Sequence, residues 1–196
     1  APNEGAFYGP KIEFHLHDCL GRVWQCGTIQ VDYSMPGRLN ASYIDEQGQK
    51  GTPIMIHRAI FGSIERFIGI LVEHYAGRLP LWLAPVQIAI LTVSDQYMDY
   101  AQEIQLSLKK AGFRVKLDKR NEKLGFKIRD YTIKKVPYEF IIGESEKTNK
   151  TVALRCVNGK QKTDIPLDEL ITALKKEIDD KVVPDAQSSY ALFQSE

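Results

Sequence analysis

Among the 196 residues, a few groups have the types and spacing to do chemistry. Arg66 lies one helical turn beyond Gly62-Ser63. A glycine lets the backbone come close to a nucleotide, and the guanidinium presents a fixed, permanently charged fork, so together they could form a phosphate site. Gln25, Thr28 and Gln30 are polar side chains on an otherwise buried-type run, Val23 to Asp32, and Trp24 and Cys26 beside them argue against open water. Strict alternation puts Thr28 and Gln30 on one strand face and Gln25 on the other. His57 is a further candidate. Taken alone, Arg66 reads as a helix arginine paired with a carboxylate, the polar run as a solvent-facing strand, and His57 as a hydrogen-bonded core residue.

The elements that must position these groups follow from periodicity. Residues 12–17 alternate apolar and polar as a half-buried strand, and 23–32 form a second. A loop rich in turn formers runs from Ser34 to Pro53. Residues 58–76 carry Ile60, Ile64, Phe67, Ile68, Leu71, Val72 and Tyr75 at helical spacing, which predicts a long buried helix stopped by Gly77. The Pro-rich stretch Gly77 to Pro85 is the expected boundary. Beyond it, Val86 to Val93 reads as a central strand buried on both faces. A helix inside Ser94–Gly112 and a strand at 113–117 follow, and then a basic helix capped by Asn121. Strands at 138–142 and 151–157 and a final helix from Pro166 complete the pattern. The expected fold class is α/β: an α+β segment with antiparallel sheet over residues 1–81, an α/β domain with mixed sheet over 82–181, and a loosely ordered tail over 182–196.

Composition narrows the function classes. Hydrophobic residues at 43% and charged residues at 26% exclude a long disordered or fibrous chain. No run of ~18 apolar residues is present to span a bilayer. Cys19, Cys26 and Cys156 are odd in number and lack metal-ligand spacing, which suits reduced thiols in a cytoplasmic protein. The net charge of +1 hides a local excess: from Lys109 to Lys135, eleven Lys/Arg face only Asp118, Glu122 and Asp130. Such a stripe suits a polyanion, although on charge alone it reads as a solvated helix face. The first residue is Ala1, as expected of a chain cut or processed from something longer.

Several segments in order carry a resemblance: Asn3 to Lys11, Trp24 to Gln30, His57 to Arg66, Leu83 to Gln87, Arg120 to Lys123 and Gly125 to Arg129. Together they resemble the C-terminal part of threonyl-tRNA synthetase, a class II aminoacyl-tRNA synthetase, from the end of the catalytic domain through the anticodon-binding domain. The resemblance implies ATP-dependent activation of threonine, with Mg2+, and transfer to tRNA(Thr). It makes Arg66 the motif 3 arginine on ATP, beside Ser63. It places Tyr8, Lys11, Gln25, Thr28 and Gln30 in the ATP and threonine pocket, with Lys11 neutralising anionic groups. For all three strand polars to line one pocket, the strand must deviate near Gly27, where a bulge would serve. His57 becomes one ligand of a zinc ion that would sense the substrate hydroxyl. Asn121, Glu146 and Arg155 match the family's anticodon readers, and their donors and acceptors suit base edges. Lys119, Arg120, Lys123, Lys127 and Arg129 would serve the phosphate backbone.

The family's motifs 1 and 2 and its other two zinc ligands are not among these residues. The full-length parent is expected to be a cytoplasmic homodimer. The expected function is threonine–tRNA ligation by that parent, with this piece inactive alone. The alternative is a non-catalytic tRNA-binding fragment. An accessory factor that borrowed the fold is disfavoured because Gln25, Thr28, Gln30, His57 and Arg66 are all intact.

Overall fold

The computed structural model describes residues 6–184 together with Leu192. Most of the expected tail, residues 185–191 and 193–196, lies outside the described residues. The chain divides into two compact units after His74. Sequence placed the boundary after residue 81, but Leu81 is fully buried in the core of the second unit, which draws the Pro-rich segment with it.

In the first unit, β1 (Lys11–His17), β2 (Val23–Asp32) and β5 (Met55–Ala59) form an antiparallel sheet in the order β1-β2-β5. The intervening loop carries α1 (Met35–Arg38) and a two-residue pair, β3 (Tyr43–Ile44) with β4 (Lys50–Gly51). The expected long buried helix is corrected. Residues 55–59 pair with β2 as a strand, and α2 runs only over Ile64–His74 with no buried residue. Its apolar stripe is real, yet Ile64 and Ile68 are 62% and 53% exposed. The helical period continues back through Ile60, but pairing with β2 overrides it as far as Ala59.

The second unit contains a five-stranded mixed sheet in the order β10-β9-β8-β6-β7. Its elements are β6 (Ile88–Thr92), α3 (Met98–Lys110), β7 (Val115–Asp118), α4 (Leu124–Ile133), β8 (Tyr138–Ile142), α5 (Glu144–Asn149), β9 (Thr151–Cys156), β10 (Gln161–Pro166) and α6 (Leu167–Asp179). β6 lies parallel to both β7 and β8, and β9 and β10 continue antiparallel. All five β6 residues are buried, as a strand covered on both faces requires. Ile88, Ile90, Tyr138, Phe140, Leu154, Ile104, Leu108, Leu170 and Leu174 form one core with α3 and α6. Ala89, Leu91, Tyr131 and Val136 form a smaller one beneath α4. Each fully buried aliphatic side chain contributes roughly 1.5–3 kcal/mol. β10 was not anticipated, because an edge strand with one polar side lacks an apolar run. Nor does Asn121 cap α4: the helix starts later, at an N-cap of Lys123 without a side-chain cap.

Candidate functional site

The first candidate site lies on one face of the β1-β2-β5 sheet, and a bulge creates it. The register runs Lys11 opposite Gln30, Glu13 opposite Thr28 and Phe14 opposite Gly27, then jumps so that His15 faces Gln25. Cys26 is the extra residue of β2. Directly opposed residues share a sheet face, so the insertion turns Gln25 to the same side as Thr28 and Gln30. β5 adds His57 opposite Gln30. Lys11, Gln25, Thr28, Gln30 and His57 therefore share one face.

Hydrogen bonds hold several of these groups. The Tyr8 hydroxyl donates to Gln30 Oε1 at 2.9 Å. Tyr8 is brought there by a close backbone approach: the Tyr33 N–H donates to the Tyr8 carbonyl, and a Cβ on Gly9 would sit 2.2 Å from the Val31 carbonyl oxygen. Only glycine fits there. Glu13 accepts from Lys11 Nζ and from Gln25 Nε2, each at 2.7 Å on Oε1. The Lys11 hydrogen bond leads in holding the Glu13 carboxyl below its ordinary pKa, helped by His15. His57 Nε2 lies 3.0 Å from Asp32 Oδ2, and Asp32 Oδ1 accepts from the Ser34 and Met35 amides. The Met35 amide leads in lowering the Asp32 pKa; burial opposes it, and His57 and Ser34 add to it. A cleft of about 500 Å3 lies over this face, lined by Tyr8, Thr28, Gln30, Asp32, Arg38 and His57 among others.

Arg66 arrives from α2. β5 ends opposite Thr28, so beyond that point its pairing with β2 stops. Arg66 donates there, from NH2 to the Gln25 carbonyl at 2.8 Å, with its guanidinium 5.9 Å from the Trp24 ring centre. Gly62, in the left-handed region at φ 67°, leaves room for that crossing: a Cβ would meet Arg66 NH2 and the Cys26 carbonyl at 3.1 Å each. Ser63 Oγ accepts the Arg66 amide at 3.4 Å and donates to Glu65 at 2.9 Å. The arrangement fixes Arg66 at the bulge beside Gln25.

Among the described residues, no three His, Cys, Asp or Glu side chains gather as a metal site. His57 has only Asp32 beside it, so these residues by themselves do not compose a zinc centre.

In the second unit, the three expected base readers occupy two places. Asn121 is exposed in the loop after β7, and Glu146 sits in the first turn of α5 after β8, both beyond the carboxyl ends of parallel strands. Glu146 Oε2 accepts the Gly143 amide at 2.9 Å, so it also caps its helix. Arg155 lies opposite Glu139, near the start of β8. Its NH1 donates to Glu139 Oε2 at 3.0 Å and to Thr132 Oγ1 at 3.2 Å, with 16% of the side chain exposed. Burial raises the Glu139 pKa, against the pull of Arg155.

The basic stripe is less free than its charge count suggests. Arg120 is clamped by Asp118 and Asp130, Lys134 also pairs with Asp130, and Lys127 is only 2% exposed. Sequence reasoning passed over Glu13, Asp32 and Glu139, the carboxylates that hold these side chains. The signal for Glu13 was its period-2 step from Lys11, and for Glu139 a lone acid inside an apolar strand.

Two family models divide the chain as the structure does. The tRNA synthetase class II core domain (G, H, P, S and T) matches residues 2–75, and the anticodon binding domain matches residues 87–177. Threonine–tRNA ligases from Laribacter hongkongensis and from Legionella pneumophila (strain Corby) are each 56% identical, over 90% and 91% of this chain. The chain matches the C-terminal region of threonyl-tRNA synthetases. It spans 28% of the length of those relatives, and carries the end of the class II core and the anticodon-binding domain. A crystal structure titled the RNA binding domain of threonyl-tRNA synthetase from Cryptosporidium parvum Iowa II superposes with TM-score 0.77 at 40% identity. That match covers 89% of this chain and 44% of the other. A prolyl-tRNA synthetase from Cryptosporidium parvum gives TM-score 0.67 at 25% identity, covering 92% of this chain and 39% of its own.

Proposed function

We propose that this chain is the part of a threonine–tRNA ligase that completes the ATP and threonine pocket and reads the anticodon of tRNA(Thr). The observation that carries this reading is the bulge at Cys26, which puts Gln25 on the same face as Thr28, Gln30, Lys11 and His57 and leaves its carbonyl to anchor Arg66. Arg66 would place its remaining donors against the phosphates of ATP, where charge develops as pyrophosphate leaves. Lys11, Tyr8, Gln25, Thr28 and Gln30 would orient ATP and threonine, with Ser63 at the head of the arginine's helix. ATP would come as its Mg2+ complex. Zinc in the full-length protein would add discrimination of the threonine hydroxyl; here His57 would face it, steadied by Asp32. Asn121, Glu146 and Arg155 would read anticodon bases. A cytoplasmic homodimer is the setting proposed for the full-length protein.

The test is threonine-dependent exchange of pyrophosphate into ATP by a full-length protein containing this chain. Arg66→Ala should lower the rate by roughly 10²–10³-fold, the scale for loss of one transition-state donor. Arg66→Lys should recover little, because a point charge cannot replace the planar fork. Near-normal exchange by Arg66→Ala would remove Arg66 from the reaction. A polypeptide of these 196 residues alone should show no exchange. The second reading, a tRNA-binding module without catalysis, is favoured for the piece alone by the complete core of the second unit. Exchange above background by the isolated chain would rule it out.

A further inference from the structure

The sheet of the second unit ends at β7, and among the described residues no strand pairs with the far side of it. On the near side, the Arg114 carbonyl accepts the Gln87 and Ile88 amides, and Val115 to Asp118 run in parallel register beside Ile88 to Leu91. The backbone groups of a strand point alternately to its two sides. Residues 114, 116 and 118 therefore serve β6, and the amides and carbonyls of Val115 and Leu117 point away from it. Such an edge, with donors and acceptors free, is a template for another chain.

The edge lies in a groove of about 860 Å3, between Gln105 and Lys109 of α3 and Tyr131 and Lys134 of α4. The groove shares Lys116, Tyr131 and Lys134 with a second hollow of about 330 Å3, where Leu79, Pro85 and Val86 add an apolar wall. Val115 and Leu117 turn their side chains to the α3 face of the sheet, where Leu117 joins the core. Lys116, between them, is exposed on the opposite face. Asp118 is the acid that lines the groove, and Arg120 already grips it. Lys109, Lys116 and Lys119 line it too, and form no ion pair among the described residues. The groove thus combines a free backbone edge with three uncommitted cations.

Three occupants compete for such an edge. A second copy would bring Lys116 and Lys119 of one chain against the same residues of the other, and like charges across a ladder repel. RNA would meet the lysines, but its phosphates are acceptors only and leave the outward Val115 and Leu117 carbonyls without donors. An extended peptide supplies donors and acceptors alternately, at the spacing of the edge itself. Carboxylates on that peptide match the uncommitted lysines. We infer that the β7 edge takes an extended acidic peptide, which adds to the five-stranded sheet as a further strand. Its backbone pairs with Val115 and Leu117, its acidic side chains meet Lys116 and Lys119, and its alternate apolar side chains lie on the α3 face. This docking surface is independent of ligation and of anticodon reading.

The experiment titrates the whole 196-residue chain into a fluorescein-labelled peptide of about eight residues, alternating glutamate and valine. Saturable binding is expected, and the Val115 and Leu117 amides should gain protection from hydrogen exchange. N-methyl groups on one alternate set of peptide amides should abolish binding, and on the other set should leave it intact, because a single set faces the edge. Lys116→Glu should weaken binding about tenfold, the effect of one charged hydrogen bond. Val115→Pro removes an outward donor that β6 does not use, so it should weaken binding several-fold while the chain still melts cooperatively. A lysine–valine peptide of the same length should not bind. Absence of binding by the acidic peptide would overturn the inference and leave the lysines as guards against edge pairing. Equal effects of the two N-methyl sets would overturn strand addition. An oligouridylate that displaces the peptide and binds more tightly would give the groove to RNA instead. Sedimentation of the free chain as a dimer that Val115→Pro dissolves would give the edge to a second copy.

Discussion

The two units place their apolar residues very differently. Among the described residues, Cys26 and Pro36 are the buried apolar side chains of the first unit, while Leu81 through Leu174 supply the rest in the second. Ile12, Phe14, Leu16, Ile56, Ile64 and Ile68 in the first unit are exposed, although they sit on regular strands and a regular helix. Patterning alone therefore does not bury a face; a second layer is needed to cover it. Among the described residues the carboxylates with raised pKa values lie in the second unit, although Asp118 and Asp130 there are lowered beside their basic partners. In the first unit, Glu13, Asp32 and Glu65 have lowered pKa values because hydrogen bonds stabilise their charge. In the second, burial drives Glu139 up and pushes Glu177 up to about 7, against a hydrogen bond from the Tyr138 hydroxyl.

The sharpest way to break this comparison is to separate the units. Residues 75–196 as their own polypeptide should melt cooperatively, whereas residues 1–74 should show no cooperative transition by calorimetry. A cooperative melt of 1–74 would mean that its exposed apolar face is not a liability. Next in size are side-chain truncations. Leu174→Ala, at a fully buried position, should cost roughly 2–5 kcal/mol in chemical denaturation. Ile68→Ala, half exposed on α2, should stay within about 0.5 kcal/mol.

A further effect separates the units by pH. Glu177 keeps its proton longer when folded than when unfolded, so the folded state binds more protons between the ordinary glutamate range and pH 7. Stability of the second unit should therefore fall as pH rises from about 4.5 to about 7, by on the order of 3 kcal/mol, and level off above. Glu177→Gln should remove that slope. Asp32 acts in the opposite sense: its contribution is present above the ordinary carboxylate range and lost as pH falls through its lowered value. Denaturation midpoints across pH 4 to 8, for parent and Glu177→Gln, decide the matter; identical profiles would refute the assignment.

Much of this molecule was legible in its residues. The apolar run of β6 and the stripes of α3 and α6 are local signals, and local signals survive folding. The motif order that marks a threonyl-tRNA synthetase was equally plain. The burial of α2 was misjudged because its period says which face is apolar, and nothing about what lies opposite. Asn121 was misplaced as a cap because capping residues are common in loops that do not begin a helix.

What the tertiary structure decided was register and neighbours. By alternation alone Gln25 belongs on the far face from Thr28 and Gln30; one extra residue at Cys26 reverses that, since a single-residue slip flips a strand's side chains. The carboxylate beside His57 comes from Asp32, twenty-five residues earlier, through pairing of β2 with β5. Lys127 reads as one more surface lysine in its helix and is buried only because α4 folds back across β6. Sequence determines periods because they depend on chain neighbours; partners across a sheet depend on how distant segments meet.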